Sequence, residues 1–515
     1  MFEASEGVFG EVKDVKRLVS MFSLKYVVTL VYMLQATEYD AREYMRWVRR
    51  AENFRYKNVA VRGKLDWTRK AKVLAGVGYG MELFGLAVAG VAVWFLYGLV
   101  FARCGMEEWV CGEWVVEGVA VRVLIAVGVF ALTVWAMKWW LAYLVVVPVA
   151  VGEVFVQKPI EGRVIGEAEG KLAGHKGVKI AVVGSYGKTT TKEVLRMVLG
   201  VGKKVAATEG NINQPLGIAK FVEGLDGDEE VLIFEMGEYR AGDISEMCEW
   251  VRPDVGFITG VNEAHLASFG SKDEIVRTLF GLRDFLGEKG VYLNGDSEEL
   301  RQMARSEDVL YGIGGVDGWK ISDVEVDVGG TEFVMKKGKE KLTVRTRLLG
   351  EHSVGVVAAT VSLALKLGLS EKEIMEGLAS VKPFKHRMQP RSVSGATVID
   401  DTYNGNIDGM RAGIRLLKSL EGKKKIYVTP GLVECGEEGE RLHLEIGGLL
   451  ADGVDEVVLM KNSVTGWIEA GLVGRDFEGE LKIVEDPVEF YQNLDKFVAA
   501  GDVVLMQNDW TDNYA

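Results

Sequence analysis

The chain is poor in cysteine: 4 among 515 residues, too few for a disulfide scaffold. Cys248 and Cys435 fall where a reduced cytosolic thiol is expected, and Cys104 and Cys111 pose a separate question. It also lacks a surplus of basic residues. A formal net charge of −13 excludes a nucleic-acid surface, which needs a basic face to neutralise phosphates. Internal repeats and low-complexity tracts are missing, and no apolar run has the position or flanks of a cleaved signal peptide. What the chain does have is length for two to four domains, and a composition step near residue 152.

The first third reads as an α-helical membrane region, residues 1–152. Leu83 to Ala102 is an uncharged run of 20 residues, enough for a helix to cross a hydrocarbon core ~30 Å thick. Gly118 to Gly152 carries only Arg122 and Lys138, so transmembrane helices are expected at about 81–103 and 118–140. Trp139 and Trp140 read as an interfacial belt, and Pro148 is expected to interrupt any helix continuing toward the soluble part. The patch Tyr26 to Leu34 is too short to span; it lies in the interface or packs on the other helices. Between Arg42 and Lys72 stand eleven basic and three acidic residues, whereas Cys104 to Glu117 has four glutamates and no basic residue. The basic segment, 10–75, is therefore expected on the cytoplasmic side, as an anionic-lipid contact or a solvated helix face, and two crossings of the plasma membrane are expected to return the chain to the cytoplasm. Cys104 and Cys111 then sit in an extracytoplasmic turn.

After residue 152, β-type runs alternate with helical patterns, as in a doubly wound α/β sheet. Strands are expected at Lys179–Val183, Val231–Glu235, Val255–Thr259 and Gly290–Asn294, with antiparallel hairpins over Trp319–Leu349 whose register has no landmark beyond Trp319. A Rossmann-like unit follows from Lys385. Its strands are Ala396–Ile399, Lys425–Val428, Glu456–Leu459 and Val503–Met506, and its helices Asp408–Leu420, Leu442–Leu450 and Pro487–Val498. The expected domains are a central ATP-binding domain, 175–384, and a C-terminal domain, 385–515.

The chemistry begins at Lys179-Ile-Ala-Val-Val-Gly-Ser-Tyr-Gly-Lys-Thr-Thr-Thr191. Gly184 and Gly187 bracket a turn whose N–H groups converge, with Ser185 and Tyr186 between them. Lys188 brings a charge to the β/γ-phosphates, Thr189 offers Mg²⁺ a hydroxyl, and Thr190 continues the helix start. Alone, the string also fits an ordinary strand-to-helix turn, since Val182 stands where the full motif has glycine. Glu235 ends a buried strand and His265 follows another, so both are candidate metal ligands where such sheets place their sites. Asn211 and Asn213, in a Gly/Pro loop, either face a substrate or close turns with their own side chains.

These strings, in this order, resemble the Mur ligases, most closely the MurF type, over about residues 178 to 515. Gly-Ser-Tyr-Gly-Lys-Thr-Thr is similar to the family's phosphate loop and Gly-Asn-Ile-Asn to its asparagine loop. Glu-Met-Gly and Asn262-Glu-Ala-His-Leu-Ala-Ser are similar to its metal-binding segments. His386-Arg-Met-Gln and Asp401-Thr-Tyr-Asn404 resemble its entry to the third domain. The resemblance implies an ATP-dependent amide ligase acting on a cell-envelope precursor with an amine such as D-alanyl-D-alanine; together with the membrane region it points to a membrane-anchored enzyme whose acceptor is lipid-linked or peptide-bearing. It implies ATP contacts from the phosphate loop, Asn262, Arg387, Asp401, Tyr403 and Asn404, and substrate contacts from Asn211 and Asn213. It also implies metal held by Thr189, Glu235 and His265, and catalysis by Lys188, His265 and Arg387 through an acyl phosphate.

Four departures stand out. The membrane region occupies the place of the family's uridine-nucleotide domain. Arg277 or Leu279 replaces a lysine that many members carbamylate to bridge two metals. Ser353 and Val356 stand where asparagines meet adenine, and Gln214 follows Asn213 in place of asparagine. Two other readings are an amidating MurT-like ligase with a glutaminase partner and a nucleotide-binding membrane scaffold that has lost catalysis.

Overall fold

The computed structural model describes residues 25–36, 68–103, 140–152 except 142, and 157–508 except 263–268, 404, 433–434 and 436–437, with isolated positions elsewhere before 157. Two compact units divide at residues 160 and 161.

In the first unit, α1 (Lys25–Ala36) places Val27, Leu30, Val31 and Leu34 on one stripe, buried with Ala71, Leu74 and Ala75 of α2 (Arg69–Arg103). The short apolar patch therefore packs on helices. Gly78 permits the approach, since a Cβ there would lie 2.6 Å from Val27 Cγ1. Farther along α2, Leu83, Phe84, Val91, Trp94 and Phe95 are exposed. Among the described residues one window, Lys70–Val88, is long and apolar enough to cross a membrane. Nearly all of the expected second span, Cys104, Cys111 and most of the basic segment lie outside the described residues. The helix is interrupted next to Pro148, as expected. The break falls at Val145, and Pro148 sits in the first turn of Val146–Gly152, where a missing N–H costs no intrahelical bond.

The second unit carries two sheets. Strands β1 (Val178–Val183), β2 (Val205–Ala207), β3 (Val231–Glu235), β4 (Val255–Ile258), β5 (Tyr292–Asn294) and β6 (Val309–Gly312) run parallel in the order 2-3-1-4-5-6. Antiparallel β7 (Gly315–Val316), β8 (Trp319–Asp327), β9 (Gly330–Lys337) and β10 (Glu340–Thr346) extend it to ten strands. A bulge between Ser322 and Glu325, with Asp323 at φ 54°, marks the β8–β9 register.

Strand alternation builds the two layers. Ile180 and Val182 face one core with α3 (Lys188–Leu199), while Ala181 and Val183 face the other with α4 (Pro215–Glu223), α5 (Asp243–Val251) and α6 (Lys272–Leu286). Helix α7 (Val354–Lys366) and α8 (Glu371–Ser380) complete the first layer. The chain reverses its progress across the sheet at β1, so the ends of β1, β3 and β4 open on one crevice.

The second sheet orders β11 (Gln389–Val393), β12 (Ala396–Asp401), β16 (Val503–Gln507), β13 (Lys425–Thr429), β14 (Glu456–Met460) and β15 (Glu480–Val484), parallel except for β11. Helices α9 (Ile407–Ser419), α10 (Gly439–Leu450) and α11 (Thr465–Val473) contribute to one of its two cores. The helix expected over Pro487–Val498 is instead two pieces, Pro487–Gln492 and Leu494–Phe497. Asn493 separates them, its side chain donating to the Glu489 carbonyl at 2.8 Å and competing with the backbone ladder.

Candidate active site

The loop after β1 is fixed from beneath by the end of β4. Ser185 N–H donates to the Gly260 carbonyl at 2.8 Å, and Thr259 Oγ1 donates to the carbonyls of Val183, at 3.1 Å, and Tyr186. Gly184, at φ 140°, admits no side chain, because a Cβ would stand 2.3 Å from Thr259 Oγ1. Tyr186 packs the hydroxyl end of its ring against Gly260, and burial pushes its phenol well above the usual range. Gly187, at φ 78°, caps α3, so the loop leads directly into a helix N-terminus. Thr190 lies half-buried in that first turn. The Ser185 hydroxyl is buried and meets no partner among the described residues.

Lys188 and Thr189 open α3 beside two acids. Lys188 Nζ donates to the Gly184 carbonyl and to Glu238 Oε2, at 3.0 Å, and Thr189 Oγ1 donates to Glu235 Oε1 at 3.2 Å. Glu235 ends β3 at 2% exposure, its own N–H held by Thr208 Oγ1 at 3.0 Å. One turn beyond Lys188, the fully buried Lys192 pairs with Glu235 Oε2 at 3.3 Å and donates to the Gly210 carbonyl at 2.5 Å.

The asparagine loop joins the same cluster. Asn213 Nδ2 donates to Glu235 Oε1 at 3.4 Å while its Oδ1 accepts from Tyr239 at 3.0 Å, and Asn211 Nδ2 donates to the Tyr403 hydroxyl at 3.2 Å. Asn213 is thus held by the acid site, and Gln214 serves as the N-cap residue of α4.

From the segment leading into β11, Arg387 Nη2 donates to Thr189 Oγ1 at 3.4 Å, with its guanidinium 4.5 Å from the Tyr403 ring centre. Its neighbours His386 and Met388 both have positive φ, 59° and 44°, conformations that the surroundings must enforce. They do so through Asp400, which meets His386 Nδ1 at 2.9 Å, and Asp401, which accepts from Met388 N–H at 3.1 Å and from Gln507 Nε2 at 2.8 Å.

Burial pushes the Asp401 carboxyl up to about 6, against the opposing hydrogen bond from Gln507. A raised folded-state value means the folded protein holds the proton more tightly. The resulting stabilisation is full below the unfolded value near 4 and is lost as pH rises through about 6. Between about pH 4 and pH 7, wild type is expected to lose ~3 kcal/mol relative to Asp401→Asn, read from urea midpoints. Any constant cost of the asparagine cancels in this comparison; a difference flat with pH counts against the assignment.

The structure therefore brings together Lys188, Thr189, Glu235, Asn211, Asn213, Arg387 and Tyr403, with Asp401 behind Arg387. Asn262 is buried just past β4. His265 and Asn404 lie outside the described residues. Arg277 is exposed and paired with Glu274, and Leu279 is in the core. Ser353 turns its hydroxyl onto the Gly350 carbonyl at 2.8 Å, while Val356 packs against the first core. Sequence reasoning missed Lys192, Glu238 and Gln507; a lysine on the apolar face of α3 was the available signal for the first. Among the described residues, the acids within ligand distance of one another are Asp226, Asp228 and Glu229 on a surface turn. Lys204 already pairs with both aspartates, and His175 meets Glu229 at 3.1 Å.

The Mur ligase middle domain profile matches residues 182–364, and that of the Mur ligase glutamate ligase domain matches residues 386–507, together more than half the chain. The chain belongs to the Mur ligase family. It is an ATP-dependent ligase that forms amide bonds, which sets aside a scaffold without catalysis. It is 29% identical over 331 residues to the UDP-N-acetylmuramoyl-tripeptide–D-alanyl-D-alanine ligase of Bacillus subtilis, covering 64% of this chain and 72% of that Mur ligase. The Escherichia coli enzyme of the same name is 25% identical over 319 residues, covering 59% and 69%. Among solved structures, MurF ligase from Thermotoga maritima in complex with ADP superposes with a TM-score of 0.60 at 27% identity, covering 68% of this chain and 81% of that one. MurF from Acinetobacter baumannii gives 0.59 at 25% identity, covering 68% and 77%.

Proposed function

We propose that this Mur ligase is of the MurF type, joining D-alanyl-D-alanine to the terminal carboxylate of a muramyl peptide at the cytoplasmic face of the plasma membrane. The observation that carries this reading is the meeting of Lys188, Thr189 and Glu235 with Arg387, which comes from the segment leading into β11 of the second sheet. In this reading the loop from Gly184 to Thr190 cradles the triphosphate, with Asn262, Arg387, Asp401, Tyr403 and Asn404 around the nucleotide. A substrate carboxylate oxygen attacks the γ-phosphorus as the bond to ADP breaks. The amine then attacks the acyl carbon, phosphate leaves and the nitrogen loses a proton. Lys188 and Arg387 stabilise the charge spread over the transferring group, and Tyr403 holds the Arg387 plane in place. Asn211 and the loop that Asn213 ties to Glu235 and Tyr239 face the acceptor.

The site also suits Mg²⁺. Thr189 Oγ1 and the Glu235 carboxylate are hard oxygen donors side by side, and a buried Glu238 oxygen lacks a partner among the described residues. Thr189 and Glu235, with His265, would hold the ion, which would offset repulsion between carboxylate and phosphate.

The exposed apolar side chains of α2 and the charge asymmetry around it support membrane anchoring, and with it a lipid-linked acceptor held at the bilayer. Purified protein given ATP, Mg²⁺ and D-alanyl-D-alanine is expected to release ADP faster with a lipid-linked muramyl tripeptide than with its soluble UDP-linked form. Equal use of the two would remove the lipid-linked assignment. No acceptor-dependent turnover with either would remove the MurF reading.

A further inference from the structure

The lysines of α3 are already matched to acids before any ligand is considered. Lys192 lies against Glu235 and Lys188 against Glu238, each lysine one turn from the other. Each acid has one buried oxygen outside any hydrogen bond among the described residues, but they differ in what stands near it. Glu235 has Thr189 and Asn213 on Oε1 and the Lys192 ammonium 3.3 Å from Oε2. Glu238 is 2% exposed and uses only Oε2, on Lys188; its Oε1 meets no donor among the described residues. A buried carboxylate oxygen without a donor is costly and calls for an explanation, such as an ion that supplies the missing partner.

Lys188 is likewise occupied, divided between Glu238 and the carbonyl of its own loop at Gly184. A triphosphate arriving at Lys188 must compete with Glu238, and it adds negative charge next to a buried anion. Both costs vanish if a divalent cation takes the carboxylate as the phosphate takes the lysine.

We propose, resting on the ligase reading above, that Glu238 is an exchangeable carboxylate of the cation site. It restrains Lys188 in the resting protein and passes to the divalent cation when nucleotide claims that lysine. Glu238 thereby couples the two ligands, each raising the affinity for the other by the same factor.

The test is calorimetric titration of the full chain with the β,γ-imido analogue of ATP, with and without Mg²⁺, in wild type and Glu238→Gln. Without metal, the variant is expected to bind the analogue about tenfold more tightly, because Lys188 has lost its charged competitor. The gain in affinity on adding Mg²⁺ should shrink by about tenfold or more, because the cation has lost a carboxylate. Equal or weaker metal-free binding by the variant, or an unchanged gain from Mg²⁺, overturns the assignment. Wild type that binds no analogue under either condition instead defeats the ligase reading. Should Glu238→Gln not fold, Glu238→Asp, which withdraws the charge from Lys188 by one methylene, is expected to move both affinities in the same directions.

Discussion

Lys188→Ala is expected to lower acceptor-dependent ADP release by roughly 10³-fold while the fold persists. The side chain opens a helix N-terminus, 13% exposed, at the mouth of a loop whose backbone is held by Thr259 and Gly260 as well as by the bond from Lys188 to the Gly184 carbonyl. Its removal therefore leaves the Thr259 and Gly260 bonds of the loop in place but takes away the ammonium at its mouth. The variant also leaves Glu238 buried without its cation, a cost of about 1–3 kcal/mol. Adding Glu238→Gln to Lys188→Ala should recover most of that stability and none of the turnover. Lys188→Arg is expected to stay impaired as well, since a planar fork cannot occupy the place of a compact ammonium between Gly184 and Glu238. Initial rates of ADP release together with thermal melts separate these effects; turnover in Lys188→Ala within tenfold of wild type would contradict the placing of Lys188 on the transferred phosphate.

Much of this arrangement is legible in the sequence because it is local. The apolar run at Lys179–Val183, two glycines and a Lys-Thr pair specify strand, turn and helix start within a dozen residues, and alternation along β1 divides it between two cores. The strands that escape sequence reading include edge strands. β2 has three half-buried residues, β11 contains Pro390, and β15 alternates weakly between exposed and half-buried positions, so none presents a clear period. Lys192 and Glu238 escape for another reason. Their polarity predicts solvent, and only pairing across more than 40 residues of chain turns a buried lysine and a buried glutamate into part of a site. Nor does any local pattern announce that His386 and Met388 take positive φ to aim Arg387, because the constraint comes from Asp400, Asp401 and Gln507.

Glu235→Ala is expected to damage stability and activity together, and a second substitution should separate them. Glu235 is the partner of the fully buried Lys192, so its removal leaves an ammonium inside the protein with the Gly210 carbonyl and Glu193, 3.4 Å away, as its remaining partners. Breaking a buried pair from one side costs about 3–5 kcal/mol, and Glu193 places this case near 3 kcal/mol. Turnover should fall by about 10³-fold or more, since Thr189, Asn213 and, by way of Thr189, Arg387 lose the carboxylate that gathers them. Replacing both partners by apolar side chains removes the buried charge instead of stranding it. Glu235→Ala combined with Lys192→Met should therefore regain most of the lost urea midpoint while staying inactive. Recovered turnover in the double variant would make Glu235 a structural counter-ion of Lys192 alone. A single variant as stable as wild type would mean that Glu193 suffices for Lys192. The expected pattern, stability restored and chemistry not, assigns Glu235 two separable tasks: it neutralises the lysine beneath it and holds the oxygen donors above it.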